Sequence, residues 1–162
     1  MPDPASEPSA QRLHLLCPHC GATNRVPRTR LGDGGKCGAC HKALLTGHPL
    51  DVDAAGLRRL AEIEELPLLV DCWAPWCGPC RTMAPQFERA AADLEPEVRL
   101  AKLNTEDNQE IAQRLGISAI PTLLLLNRGR EIGRLAGARS AGELAAWTRN
   151  QLALAGLSAA TR

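Results

Sequence analysis

Residues 70–80 read VDCWAPWCGPC, and this stretch decides the fold that we predict for the chain. An apolar run from Leu66 to Val70 leads into it, and helix-compatible sequence follows from Arg81 to Leu94. Two cysteines spaced Cys-x-x-Cys on the first turn of a helix lie on the same side, close enough to form a disulfide. The free N–H groups and the positive end of the helix dipole favour a thiolate at the first position. The pattern therefore predicts that Cys77 is a nucleophile and that Cys80 attacks whatever Cys77 has captured.

The hydrophobic pattern on either side of this stretch predicts alternating strands and helices. Asp53 is expected to cap the first helix, and Ser140 with Glu143 forms the capping-box pattern of the last one. The expected elements are a strand at 50–52, a helix to about 65, a strand at 68–72, a helix to 94, a strand at 98–104, a helix at 106–115, a hairpin of strands 122–126 and 131–135, and a helix at 140–154. This order, β-α-β-α-β-α-β-β-α, indicates an α/β protein.

Two further Cys-x-x-Cys pairs lie upstream, and sixteen residues separate them. This spacing is typical of a four-thiolate zinc ribbon, in which each pair forms a tight knuckle. The segment has too few large apolar side chains to fold by core burial alone, so a structural metal is expected to supply the missing stability. Redox-active pairs without metal are the alternative. The four predicted zinc ligands are Cys17, Cys20, Cys37 and Cys40.

The first of these pairs allows another interpretation. It reads Cys-Pro-His-Cys, which also resembles the active-site tetrapeptide of a periplasmic thiol oxidant. That motif needs a buried strand before it and a long helix after it, whereas Gly-Ala-Thr-Asn follows Cys20. A zinc knuckle is therefore the preferred interpretation. His19 and His41 are expected on the surface, because four thiolates already fill a tetrahedral site.

The composition excludes several function classes. Lys and Arg total 19 against 18 Asp and Glu, so the overall charge implies no polyelectrolyte partner. Six of the seven cysteines fall in Cys-x-x-Cys pairs, which suit metal binding or redox chemistry better than a secreted disulfide framework. The N-terminus lacks the basic start of a signal peptide, and no run approaches the ~20 apolar residues of a membrane span. We therefore expect a cytoplasmic protein without membrane contact.

Three segments are expected along the 162 residues. Residues 1–10 have nothing to bury and should form a disordered tail, residues 11–47 a zinc ribbon, and residues 48–162 the α/β domain. The ribbon has six Lys or Arg and one Asp, and four thiolates with Zn²⁺ would cancel about two of these positive charges. We interpret the remainder as a solvated surface. Residues 1–72 contain no Phe, Tyr or Trp on which bases could stack, so nucleic acid is not expected as a partner.

The motifs of residues 50–155 resemble the thioredoxin family. The resemblance rests on Trp-Cys-Gly-Pro-Cys after a buried strand, with Lys-Leu-Asn at 102–104, Ile-Pro-Thr at 120–122 and Gly-Ala at 137–138. With the upstream pairs, the chain resembles the thioredoxin 2 group, the bacterial cytoplasmic thioredoxins with an N-terminal zinc ribbon. The resemblance implies a thioredoxin fold, which is a central mixed sheet flanked by helices, with a small N-terminal zinc-ribbon domain.

Asp71 is the candidate general base. It is one carboxylate in an apolar strand, and burial without a partner raises the pKa of an aspartate toward neutrality. It can then accept the proton that Cys80 loses when Cys80 attacks the mixed disulfide on Cys77. Lys102, on the neighbouring strand, is expected to tune the pKa of Asp71. A satisfied structural carboxylate is the alternative, and the family resemblance favours the base.

The resemblance also implies a substrate surface. It predicts a cis Ile120–Pro121 bond facing the cysteines, where the backbone of Ile120 pairs with an extended substrate segment. From its sequence context alone, Pro121 reads as the start of a strand. Cys72 falls where the family usually has an aromatic residue, and we interpret it as a small buried hydrophobe, with an extra redox role as the alternative. The residues expected to contact substrate are Trp76, Gly78, Pro79, Ile120, Pro121 and Gly137.

The function expected from this resemblance is that of a general protein-disulfide reductase. Its electrons would come from NADPH through thioredoxin reductase, with one Zn²⁺ in the four-cysteine site and no organic cofactor. The expected substrates are disulfide-containing proteins such as peroxide-detoxifying enzymes and ribonucleotide reductase, and the chain is expected to be a monomer. One alternative is a binding module whose ribbon recruits a protein or nucleic acid. A further hypothesis is that oxidation of the zinc cysteines releases the metal and alters the reductase domain.

Overall fold

Two β-sheets organise the chain in the computed structural model, which describes residues 11–157. The smaller sheet is an antiparallel hairpin of β1 (Arg12–Leu16) and β2 (Thr23–Pro27), followed by a 3-10 turn at Arg28–Arg30. This hairpin is absent from the sequence prediction, which placed only the two cysteine knuckles in this segment. The tail predicted at residues 1–10 lies outside the described residues.

The larger sheet carries the predicted order of strands and helices. Its elements are β3 (Leu50–Val52), α1 (Ala54–Ile63), β4 (Leu68–Trp73), α2 (Gly78–Leu94), β5 (Arg99–Asn104), α3 (Gln109–Arg114), β6 (Thr122–Asn127), β7 (Arg130–Ala136) and α4 (Ala141–Leu154). The strands lie in the order β3-β5-β4-β6-β7. The sheet is mixed, as predicted, because β3, β5 and β4 are parallel, whereas β6 runs antiparallel to both of its neighbours, β4 and β7.

The helix ends follow the predicted caps with one exception. The Asp53 side chain accepts a hydrogen bond from Gly56 N at 2.7 Å, and Ser140 and Glu143 form both bonds of the capping box. The exception is α3, which was predicted to start at residue 106. Asn104 accepts a bond from Glu106 N at 3.0 Å through its side chain, and this local turn takes the place of the first helical turn.

Strand β4 lies at the centre of the sheet and buries side chains on both faces. Leu69 packs with Met83 and Phe87 of α2 on one face, while Val70 and Cys72 pack toward α1 on the other. Successive side chains of a strand alternate between faces, so Asp71 falls on the side of Leu69, toward α2. Cys72 is fully buried, and burial raises the pKa of its thiol to about 12. This placement agrees with a small buried hydrophobe.

The ribbon (residues 11–47) is joined to the larger sheet by a shared seam. Leu16 of β1 packs in the core beneath β4, and Leu66, just before β4, packs in the ribbon core with Cys17 and Cys37. A buried ion pair connects Glu64 to Arg99 at 3.2 Å, and Glu64 also accepts a hydrogen bond from Leu16 N at 2.9 Å. The seam therefore combines apolar packing with a buried charged pair.

Candidate active site and metal centre

Cys77 and Cys80 lie where β4 gives way to α2, and the structure joins them in a disulfide with a Cα–Cα distance of 5.2 Å. Cys77 is the N-cap of α2, and its sulfur accepts a hydrogen bond from Cys80 N at 3.2 Å. The accessible fractions are small, 5% for Cys77 and 2% for Cys80. A backbone N–H pointing at sulfur on the first turn of a helix stabilises a thiolate when the pair is reduced. The pair can therefore alternate between dithiol and disulfide.

Asp71 lies six positions before Cys77 in the chain. It is buried, with 1% of its surface exposed. Neither carboxylate oxygen has a hydrogen-bond partner among residues 11–157. Burial raises the pKa of Asp71 to about 7, and the positive charge of Lys102 offsets part of that rise. Lys102 sits opposite Asp71 in the β4–β5 register, and its Nζ lies 4.7 Å from the centroid of the Trp73 ring. The site thus holds a carboxyl group that titrates near neutral pH.

The segment just before β6 borders the cysteines, because Ile120 packs against the cluster that contains Cys77 and Cys80. The Ile120–Pro121 peptide bond is cis, as predicted, and the Ile120 carbonyl oxygen lies 3.8 Å from Cys77 Sγ. Gly137 N donates a hydrogen bond to Pro121 O at 2.9 Å, so the segment after β7 is held beside the same bond. The φ angle of Gly137 is 94°, a value that favours glycine. The structure therefore places Ile120 against Cys77, with Pro121 next to it in the chain and Gly137 bonded to Pro121.

The remaining predicted contact residues are exposed around the pair. Trp76 is 67% exposed, and Gly78 and Pro79 are exposed in the first turn of α2. Trp73 is partly buried and packs against the cluster formed by the two cysteines and Ala74. Its indole Nε1 is buried and has no partner in the described part of the chain. The pair is thus bordered by the exposed Trp76, Gly78 and Pro79 and by the half-buried ring of Trp73.

The four upstream cysteines converge as the spacing predicts. All four Sγ atoms lie within 4.8 Å of one another, with 3.6 Å between Cys17 and Cys40 and 3.6 Å between Cys20 and Cys37. A tetrahedral zinc site with bonds of about 2.3 Å has sulfur–sulfur edges of about 3.8 Å. The donor set and its size therefore fit one Zn²⁺. Both His19 and His41 are exposed and outside the cluster.

Sequence reasoning missed one residue at the cysteine cluster and two at the seam. Asn24 reaches the cysteine cluster from β2, with its Nδ2 3.4 Å from Cys37 Sγ. Glu64 and Arg99 form the buried pair of the seam. The cysteine spacing carries no signal for any of them, because each contact joins residues that are 13 to 48 positions apart in the chain.

Comparison with known proteins identifies similar chains over both parts of the molecule. The family described as Thioredoxin matches residues 57–150, and the family described as Thioredoxin 2, N-terminal, matches residues 16–42. Thioredoxin C-3 of Corynebacterium nephridii is 40% identical over 138 residues, which cover 85% of this chain and 94% of the relative. A thioredoxin of Haemophilus influenzae is 35% identical over 96 residues, covering 59% and 90% of the two chains.

Solved thioredoxin structures share the fold of the larger sheet. A mutant thioredoxin from Halobacterium salinarum matches with a TM-score of 0.59 and 26% identity, covering 65% of this chain and 91% of that one. Fasciola hepatica thioredoxin matches with a TM-score of 0.55 and 34% identity, covering 61% and 94%. Among the helices of residues 11–157, none has the length and apolar character needed to cross a membrane.

Proposed function

The chain belongs to the thioredoxin family, whose members are thiol-disulfide oxidoreductases, and we propose that it reduces protein disulfides with Cys77 and Cys80. The observation that carries this proposal is the Cys77–Cys80 disulfide at the start of α2, close in the chain to the buried Asp71. A dithiol that closes into a disulfide delivers two electrons to a substrate disulfide. Residues 48–162 would form the reductase domain.

The reaction would proceed in two thiol exchanges. The Cys77 thiolate attacks one sulfur of the substrate disulfide, so a Cys77–substrate bond forms while the substrate S–S bond breaks and releases a thiolate, which takes up a proton. The Cys80 thiol then loses its proton and attacks Cys77 Sγ. The Cys77–Cys80 disulfide forms, and the second substrate sulfur leaves as a thiolate that is protonated. The substrate gains two electrons and two protons.

Asp71 would take the proton of Cys80 in the second exchange. A pKa of about 7 supports this role, because near neutral pH a large fraction of the carboxyl group is ionised and can accept a proton. Its lack of a hydrogen-bond partner within residues 11–157 leaves both oxygens available. Lys102 would set the pKa by favouring the ionised form. Asp71 is thus the proposed general base and Lys102 its tuning residue.

Substrate would lie across the exposed rim of the site. The Ile120 carbonyl beside Cys77 supports pairing with the backbone of an extended substrate segment. Trp76, exposed next to Cys77, offers an apolar surface to rest on. The proposed rim also includes Gly78, Pro79, Pro121 and Gly137.

The ribbon would hold one structural zinc ion. Cys17, Cys20, Cys37 and Cys40 would bind it, and the metal would join the two knuckles and stabilise the ribbon. Oxidation of these thiolates would release the metal, and the seam at Leu16 and Glu64 would carry the change to the larger sheet. Peroxide treatment that releases no zinc, or release that leaves substrate kinetics unchanged, would contradict this redox response.

The family suggests the electron source and the partners. We propose that thioredoxin reductase, fed by NADPH, regenerates the dithiol, so that the chain needs no organic cofactor of its own. The substrates would be cytoplasmic proteins with disulfides, such as peroxide-detoxifying enzymes and ribonucleotide reductase, and the protein would act as a monomer.

One coupled assay tests this function. NADPH consumption is followed with thioredoxin reductase and a protein-disulfide substrate for the wild type, Cys77→Ser and Cys17→Ser. We expect no turnover with Cys77→Ser, because the nucleophile is lost. Cys17→Ser should remain active but bind zinc poorly. Turnover by Cys77→Ser would overturn the assignment.

A further inference from the structure

Asn24 on β2 connects the two cysteine knuckles. Its Oδ1 accepts a hydrogen bond from Gly38 N at 2.9 Å, inside the second knuckle. Its Nδ2 lies 3.4 Å from Cys37 Sγ and 3.4 Å from the carbonyl oxygen of Ala22, which follows the first knuckle. One side-chain amide therefore contacts the second knuckle, one sulfur of the cluster and the backbone just after the first knuckle.

The hydrogen-bonding groups fix how the amide of Asn24 is oriented. The backbone N–H of Gly38 is only a donor, so the amide oxygen must face it. The NH₂ group then points at Cys37 Sγ and the Ala22 carbonyl, both of which are acceptors when the cysteine is a thiolate. This orientation suits a cysteine that binds metal, because a metal-bound thiolate is deprotonated.

Asn24 also gives the second knuckle a side-chain hydrogen-bond donor that the described part of the chain does not give the first. In each knuckle backbone amides point at the first cysteine, with His19 N 3.4 Å from Cys17 Sγ and Ala39 N 3.3 Å from Cys37 Sγ. The second knuckle adds the side-chain donor of Asn24. Among the hydrogen bonds of residues 11–157, Asn24 is the one side chain outside the cluster that donates to a cluster sulfur.

We propose that Asn24 is a positioning residue of the zinc site, which orients Cys37 toward the metal and ties the second knuckle to the first. The proposal rests on the zinc site proposed above. Groups that hydrogen-bond a metal ligand hold its geometry, and their loss typically weakens metal affinity by about 10- to 100-fold. Cys37 has 1% of its surface exposed, so water cannot readily replace a lost donor there.

Two substitutions separate the contacts of Asn24. Asn24→Ala removes both the bond from Gly38 N and the donor to Cys37. Asn24→Asp keeps an acceptor for Gly38 N but places a carboxylate oxygen against the thiolate. Arg25→Gln is the matched control, because Arg25 is the next residue of β2 and its side chain is exposed on the other face.

Zinc affinity of the full chain is measured by competition with a chromogenic chelator. We expect about 10- to 100-fold weaker binding for Asn24→Ala and for Asn24→Asp, and an affinity within about twofold of wild type for Arg25→Gln. Protein-disulfide reduction by each variant checks that the rest of the chain is folded. An affinity of Asn24→Ala equal to that of wild type would overturn the proposal, and so would an equal loss in Arg25→Gln.

Co²⁺ alone serves as a spectroscopic probe of the cysteine ligands. Its absorption reports on the thiolates themselves, so a residue that only stabilises the fold should not change it. At saturating Co²⁺, the sulfur-to-cobalt charge-transfer band should shift in Asn24→Asp, because the electron density of the Cys37 thiolate changes when its donor is replaced. The band of Arg25→Gln should match wild type. An unshifted band in Asn24→Asp would contradict the contact with Cys37. Wild-type protein that binds neither metal would contradict the zinc site itself.

Discussion

Leu16 of the ribbon lies in the hydrophobic core of the larger unit, and Leu66 of the larger unit lies in the hydrophobic core of the ribbon. Leu16, from the ribbon, packs with Leu57 and Leu60 beneath β4, while Leu66, from the larger unit, packs among the ribbon leucines and Cys17. Both side chains are buried, with 7% and 1% of their surfaces exposed. Because each core is incomplete without the other part, we expect the ribbon and the larger sheet to unfold together.

Shortening Leu66 should therefore weaken both parts. Leu66→Ala leaves a cavity in the ribbon core, and buried leucine-to-alanine changes cost about 2–5 kcal/mol. We expect the midpoint of chemical unfolding to fall and zinc to be lost to a chelator more easily. Leu154→Ala is the control, since Leu154 is 75% exposed and its change should alter neither quantity. A stability loss without any change in zinc affinity would argue against the shared core.

Breaking the buried pair at the seam should destabilise the protein. Glu64→Leu leaves the Arg99 charge buried without its carboxylate, a change that typically costs about 3–5 kcal/mol. The double variant Glu64→Leu/Arg99→Leu removes both charges and should recover part of this loss. Urea unfolding of the two single variants and the double variant measures the coupling. Additive effects of the two changes would refute an interaction between these side chains.

Asp71 should destabilise the folded protein at alkaline pH. Its pKa is about 7 in the folded state against 3.8 ordinarily, which corresponds to about 4 kcal/mol. Since the folded pKa is the higher one, the folded state binds the proton more tightly. Its contribution to stability is then greatest below about pH 4 and falls as the pH rises to about 7. Asp71→Asn should gain up to about 4 kcal/mol at pH 8.5 and little at pH 4, measured by urea unfolding. A gain of the same size at both pH values would contradict the raised pKa.

Lys102 should lower the pH at which Asp71 acts. Its charge favours the ionised carboxylate, so Lys102→Gln should raise the pKa of Asp71 above about 7. The pH profile for release of substrate from the Cys77 mixed disulfide should then move to higher pH. Arg89→Gln is the control, because Arg89 is an exposed cation farther along α2 and should leave the profile unchanged. An unchanged pH profile in Lys102→Gln would show that Lys102 does not tune the pKa of Asp71.

Cys20 should be the first zinc cysteine to react with an external reagent. It is exposed, whereas Cys17 and Cys37 are buried and Cys40 is intermediate. With the Cys77–Cys80 disulfide intact, brief treatment with a maleimide followed by peptide mass spectrometry should find Cys20 labelled before the others. Cys72 should stay unlabelled, because it is buried and the pKa of its thiol is about 12. Early labelling of Cys37 would contradict this order.

Local spacing was enough to predict most of the fold and both cysteine sites. The pairs at Cys77/Cys80 and in the ribbon are defined over a few residues each, and hydrophobic periodicity indicated the order of strands and helices. The start of α3 was predicted too early, because a side-chain hydrogen bond of Asn104 forms a local turn in place of the first helical turn. Prediction also missed the β1–β2 hairpin, although β1 reads Arg-Leu-His-Leu-Leu and its first four residues alternate between exposed and buried.

The order of amino acids alone thus indicated which cysteines pair in the Cys77–Cys80 disulfide and which four converge in the ribbon, because the two cysteines of each Cys-x-x-Cys pair lie within a single turn. What surrounds those residues depends on tertiary contacts. Such contacts join residues of different segments, and no local pattern constrains them. They are the packing of Leu16 and Leu66 across the seam, the Glu64–Arg99 ion pair and the hydrogen bonds of the Asn24 amide. The raised pKa of Asp71 likewise depends on burial, which exists only once helices cover the sheet.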